Sequence, residues 1–212
     1  MANVQDVIML FGDSITQAGW AAHGFGARLV NAYSRKLDVP NRGLAGYNTD
    51  CAIPVLEQQD QKHLPKVTLL VLWFGANDAV IQPFSKHIPL PKFIENLNYM
   101  VHLVHFPESP YYSPSTKIIL ITLPPVNTHQ QGVKAAAAAS KVAAVDVWTA
   151  IWNAASQDEQ ALSRYLSDGR TVTRQVVFEA LMKTVAVEHP ELHYEKLRRV
   201  FPAWNEVDWT NP

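Results

Sequence analysis

The chain has 212 residues, 48% of them hydrophobic and 17% charged, with a formal net charge of −1. That length suits one domain spanning 1–212 with a core of its own, and the near-zero charge leaves no basic footprint for nucleic acid. Its one cysteine, Cys51, cannot close an internal disulfide, which excludes a disulfide scaffold and predicts a reducing, cytoplasmic setting.

Val7–Phe11 is a continuous apolar run. It is too short for an export signal, which needs roughly 7–15 apolar residues, or for a membrane span of about 20. It reads as a buried strand entering a turn at Gly12-Asp13-Ser14. Phe25–Leu37 carries Phe25, Leu29, Ala32, Tyr33 and Lys36 at helical spacing. A short extended piece, Val39–Asn41, leads into a Gly43–Gly46 turn, and a second helix is expected over Thr49–Gln58.

Val67–Phe74 is the strongest strand in the chain and runs into the turn Gly75-Ala76-Asn77-Asp78. Pro91 suits the first turn of the next helix, whose apolar stripe is Phe93, Ile94, Leu97, Met100, Val101 and Val104. Lys117–Thr122 is a further strand, stopped by Pro124-Pro125. The alanine run Ala135–Ala139 predicts a crossover helix, Val145–Trp148 the last strand, and Val177–Met182 the final helix. From Pro190 to Pro212 an aromatic, proline-bearing tail is expected to pack on the domain, since alone it would expose Trp204 and Trp209. Apolar strands alternating with amphipathic helices predict an α/β three-layer sandwich around a mostly parallel, flavodoxin-like sheet of about five strands.

In such a sheet, loops at the carboxyl ends of the strands gather on one edge, where ligands bind. Three glycine turns follow strand ends here: Gly12-Asp13-Ser14, Gly43-Leu44-Ala45-Gly46 and Gly75-Ala76-Asn77-Asp78. A serine there can act as a nucleophile, glycine lets a backbone N–H approach an anion, and asparagine can add a second donor. Each turn alone has a plainer explanation, because Asp and Ser commonly cap helices after glycine.

The three turns in this order, as Phe11-Gly12-Asp13-Ser14-Ile15-Thr16, Asn41–Thr49 and Gly75-Ala76-Asn77-Asp78, resemble the GDSL or SGNH hydrolase family. Leu123-Pro124-Pro125-Val126, Val145–Thr149 and Phe201-Pro202-Ala203-Trp204 bring the likeness closer to its fungal isoamyl acetate-hydrolysing esterases. The resemblance implies a hydrolase of small or medium acyl, acetate-type esters, acting in lipid metabolism without metal or cofactor. Its implied nucleophile is Ser14. The implied oxyanion donors are the backbone N–H groups of Ser14 and Gly46 and the side chain of Asn77, with Asp13 and Asp78 holding turns. The implied partner is a small-molecule ester, with no nucleic acid and no transmembrane segment.

The chain departs from the family at its last signature, Asp-x-x-His. Asp168, which would orient the base, is present, but the position of the base holds Thr171, and threonine cannot serve as one near neutral pH. Between Pro125 and Lys141 the crossover is also shortened, close to the dozen-residue minimum for parallel strands. An internal deletion, in the gene or its splicing, and true loss of activity both fit these shortfalls. His189 and His193 follow the final helix and read as surface histidines; His23 could line the pocket, and His63, His87, His102, His105 and His129 have no family counterpart. The alternative to an impaired esterase is therefore an inactive relative that still binds ester-like ligands. A nucleotide-binding flavodoxin-like domain is a third class, disfavoured because no strand ends in a G-x-G-x-x-G or P-loop sequence.

Overall fold

The computed structural model describes residues 5–22, 24–58, 65–124, 130–166 and 173–200. Five strands, β1 (Val7–Gly12), β2 (Asn41–Gly43), β3 (Val67–Trp73), β4 (Lys117–Ile121) and β5 (Ala143–Val145), form one sheet in the order β2-β1-β3-β4-β5. All four pairings are parallel. A parallel sheet covered on both faces needs apolar side chains on both, which is why its strands read as unbroken hydrophobic runs.

Alternate residues of those runs feed two separate cores. Ile8, Leu10, Leu69, Val71, Trp73, Ile119 and Ile121 point to one face. There they meet Phe25 and Leu29 of α2 (Phe25–Ala32), Val147 and Ile151 of α6 (Val147–Ala154), and Val177, Leu181 and Val185 of α8 (Thr173–Glu188). Met9, Phe11, Leu70, Leu72, Ile118 and Leu120 point to the other. They pack on α3 (Thr49–Glu57), α4 (Leu90–His105) and α5 (Gln130–Ser140). The alanine run is the crossover helix α5, and its Ala136 and Ala137 are buried against this core. An added Cβ on Gly132 would stand 2.7 Å from Leu90 Cδ1, so small residues let α5 lie close to α4.

Several boundaries differ from the sequence reading. The first long helix stops at Ala32, and β2 begins at Asn41 rather than Val39. The last strand is Ala143–Val145, not Val145–Trp148. Asp146 explains the shift: its carboxylate accepts the Thr149 N–H at 3.0 Å and caps α6, turning Val147 and Trp148 into helix. Helix α7 (Glu159–Leu166) follows, and the short α1 (Ser14–Gln17) was not expected as a separate element.

Beyond α8 the chain packs against the end of α2. The buried Tyr33 donates its hydroxyl to Leu192 O at 2.9 Å, Lys36 Nζ donates to Tyr194 O, and Val200 N–H donates to Arg35 O at 2.7 Å. Trp204 and Trp209 lie outside the described residues. Because Tyr33 is fully buried, deleting its hydroxyl leaves a buried carbonyl without its donor. Tyr33→Phe is expected to cost about 1–3 kcal/mol in urea denaturation and to speed proteolytic cleavage within 190–200.

Candidate functional site

Strand register brings the three glycine turns together. Gly12 pairs with Gly43 on one side and with Trp73 on the other, so β1, β2 and β3 reach the carboxyl edge side by side. At Gly12 a Cβ would lie 2.4 Å from Trp73 O and 2.1 Å from Thr16 Oγ1, so only glycine lets the chain turn there. Asp13 then caps α1, accepting the Ile15 N–H at 2.9 Å, and leaves Ser14 exposed as the first helical residue.

The second turn is stitched to this one. Asn41 Nδ2 donates to Thr16 O at 2.8 Å, Leu44 N–H to Gly12 O at 2.8 Å, and Ala45 N–H to Gln17 Oε1 at 2.9 Å. Gly46 has a φ of +84°, a conformation that costs L side chains strain. In the third turn Asn77 Nδ2 donates to Tyr47 O at 2.8 Å, which sets its amide beside Gly46 and leaves the second amide hydrogen for another acceptor. Asp78 accepts both the N–H and the hydroxyl of Thr49, and Asn96 Nδ2 donates to that hydroxyl at 2.8 Å.

Ser14, Gly46 and Asn77 therefore share one edge, as the sequence order led us to expect. Asp13 and Asp78 lie beneath them, 1% and 0% exposed. Burial pushes the Asp13 carboxyl up to about 6; nearby Asp78 adds to this, while the Ile15 and Ala76 N–H groups oppose it. The Thr49–Asn96 support was not legible in the sequence, since Asn96 sits on α4 among apolar neighbours without a local motif.

The histidines are distributed differently. His189 lies near Lys117, the first residue of β4, and so at the amino edge of the sheet. Burial is the main cause of its lowered pKa and Lys117 adds to it, against Glu191 and Glu188. His193 stands 3.8 Å from Glu195 and against Tyr194, which packs on Tyr33 beyond the end of α2. His102 and His105 are in the last turn of α4, and His105 Nε2 lies 2.9 Å from Thr116 O, just before β4. His87, after β3, is on the carboxyl edge, with Nδ1 2.7 Å from Val80 O. Among the described residues none of these imidazoles is hydrogen-bonded to Ser14. Asp168, Thr171 and His23 lie outside the described residues.

Among the described residues no three His, Cys, Asp or Glu side chains come together as a metal site, and no helix is long and apolar enough to cross a membrane.

Residues 10–193 match the model of the GDSL-like Lipase/Acylhydrolase family. An isoamyl acetate-hydrolyzing esterase 1 homolog of Bos taurus is 32% identical, over 97% of this chain and 89% of the relative. A GDSL esterase/lipase of Arabidopsis thaliana is 30% identical, over 94% of this chain and 70% of the relative. The bovine alignment runs over 235 positions against a chain of 212 residues, which leaves at least 23 positions of the relative without a counterpart here. Among solved structures, a lipase/acylhydrolase from Enterococcus faecalis superposes with a TM-score of 0.63 at 22% identity, covering 93% of this chain and 100% of that one. The acetylxylan esterase Axe2 from Geobacillus stearothermophilus gives 0.67 at 18% identity, covering 86% and 95%. At these identities the structural likeness establishes the fold.

The raised Asp13 pKa has a stability consequence with a definite sign. The folded state holds this proton more tightly than the unfolded chain, so the stabilisation is complete below pH 4 and disappears as pH rises through about 6. The shift from 3.8 to about 6 corresponds to about 3 kcal/mol. Relative to Asp13→Asn, the native chain should lose stability by that order between pH 4 and pH 8. Urea unfolding midpoints measured across that range check it; parallel curves for the two proteins would contradict it.

Proposed function

Since the chain belongs to the GDSL-like lipase/acylhydrolase family, we propose that it is a serine carboxylic-ester hydrolase by lineage, with Ser14 as nucleophile and small or medium acetate-type esters as substrates. The observation that carries this reading is the convergence of an exposed Ser14, Gly46 at positive φ and the Asn77 amide on one strand edge. The names of the isoamyl acetate-hydrolyzing relatives support the acetate-type substrate. The single Cys51, exposed and unpaired with any second cysteine, supports a reducing cytoplasmic location.

In this reading Ser14 Oγ attacks the ester carbonyl carbon and gives up its proton to a base. The carbonyl oxygen becomes an oxyanion that accepts hydrogen bonds from the N–H groups of Ser14 and Gly46 and from Asn77 Nδ2. Collapse of the tetrahedral adduct expels the alcohol, which takes the proton back, and leaves an acyl group on Ser14 for water to remove. Asp168 would orient the base. No metal or cofactor takes part.

The weak link is the base itself, because Thr171 stands where the histidine belongs. Without a proton acceptor the serine stays a neutral alcohol, and loss of the histidine alone costs about 10⁶ in kcat in the subtilisin case, while oxyanion stabilisation and binding retain roughly 10³–10⁴ over water. The second reading, an inactive relative that binds ester-like ligands, is favoured by one observation: His102, His105 and His189 lie at the amino edge, and the described histidine on the carboxyl edge, His87, has Nδ1 2.7 Å from Val80 O and no hydrogen bond to Ser14.

The decisive comparison is between the native chain and the Arg170→Leu/Thr171→His variant on p-nitrophenyl acetate and butyrate. The native chain should be near background, and the variant should gain at least about 10²-fold, the lower range for general-base catalysis. Ser14→Ala should remove that gain. Robust Ser14-dependent hydrolysis by the native chain would refute the missing-base argument. A variant that is folded by circular dichroism yet inactive would favour the binding reading and point to the shortened crossover.

A further inference from the structure

The segment between β3 and α4 crosses the rim of the site, and it is anchored there rather than loose. Asn48 Nδ2 donates to Lys86 O at 3.0 Å, and Ile88 N–H donates to Asp78 O at 2.9 Å. Asn48 itself caps α3 and immediately follows Tyr47, the residue whose carbonyl holds Asn77. The backbone of Lys86 is thus tied on both sides to the turns that carry Gly46 and Asn77.

From that anchor the side chain reaches back over Gly46. Lys86 Nζ lies 2.9 Å from where a Cβ on Gly46 would stand. Lys86 is exposed, and among the described residues its ammonium has neither an ion pair nor a hydrogen bond. It is also the one Lys or Arg in the three turns 12–20, 43–50 and 75–89. The carboxylates beneath, Asp13 and Asp78, are buried and turned to backbone and Thr49 donors. On the outer side of the same segment, Ile81 and Phe84 are 81% and 69% exposed, so the cation sits beside apolar surface.

Only the backbone of Lys86 is anchored, and nothing among the described residues pairs with its charge beside Gly46. An anion arriving beside Gly46 would do so. We propose that Lys86 is the specificity-determining residue of this site and selects esters that carry a negative group, such as a carboxylate, close to the reacting carbonyl. This rests on the ester-site reading above and names its substrate class. The exposure of Lys86 limits the effect to about fivefold in affinity, with screening by salt.

Binding tests it without needing turnover. Amide chemical shifts of ¹⁵N-labelled full chain are followed while titrating methyl butyrate, which is neutral, or monomethyl succinate, which adds a carboxylate. We expect monomethyl succinate to bind about fivefold tighter at low salt, with shifts at Ser14, Gly46 and Asn77. The preference should vanish in Lys86→Gln, persist in Lys86→Arg and shrink in 0.5 M sodium chloride as the Debye length falls to a few ångströms. Equal binding of both esters, with both moving the Gly46 and Asn77 signals, overturns the Lys86 assignment and leaves the ester site standing. A preference that survives in Lys86→Gln overturns it too. If neither ester moves those signals, the ester-site reading falls and the Lys86 assignment falls with it.

Discussion

Two buried carboxylates at one edge of the sheet impose the constraint on which the rest of the site depends. Asp13 and Asp78 are almost fully excluded from solvent, and Asp78 is close enough to add to the raised proton affinity of Asp13. Buried charge is tolerated only where hydrogen bonds replace water. The donors that Asp13 needs come from its own turn, at Ile15, and from the turn after β3, at Ala76. Asp78 Oδ1 accepts two further bonds from Thr49, at the start of α3. Together these bonds keep three separate turns in contact. The same turns carry Ser14, Gly46 and Asn77, so the bonds that support the fold at this edge also support the candidate site.

Topology decides which titratable groups can join that network. In a parallel sheet the crossover helices run back against the strands, starting near the carboxyl edge and ending at the amino edge. A histidine late in a helix, or just after one, is carried away from the site whatever its distance along the chain. That is the position of His102 and His105 at the end of α4 and of His189 after α8. Helix α8 is 16 residues long, so its first residue, Thr173, stands about 24 Å from its last, toward the opposite edge. In the proposed reading the base would come from the chain that leads into the start of α8, where the sequence has Asp168 and Thr171.

The sheet itself is ordinary in construction, and its regularity is what makes the edge dependable. Each strand divides its side chains between two cores, so a shift by one residue would exchange every partner on both faces at once. The pairing of Gly12 with both Gly43 and Trp73 is thereby protected by packing far from the site. Small residues repeat this logic elsewhere. Gly43 has Gln17 N 2.0 Å from where its Cβ would be, and Gly12 is similarly confined by Trp73 O, so two strand ends and α1 approach more closely than any larger residue permits.

Strand periodicity, helix stripes and the order of the three glycine turns were legible in the sequence, because each depends on neighbours within a few residues and on the alternation that burial on two faces demands. Val145–Trp148 was misread as strand because a short apolar run fits strand and helix alike; the Asp146 side chain, capping the Thr149 N–H, settled it as helix. Only the tertiary structure decided that Asn96 supports Thr49, that the described late-helix histidines face away, and that Lys86 stands over Gly46 from a position 38 residues beyond Asn48. Those contacts join different crossovers, and their geometry follows from strand register and from which donors the buried carboxylates recruit, neither of which has a local signature in the chain.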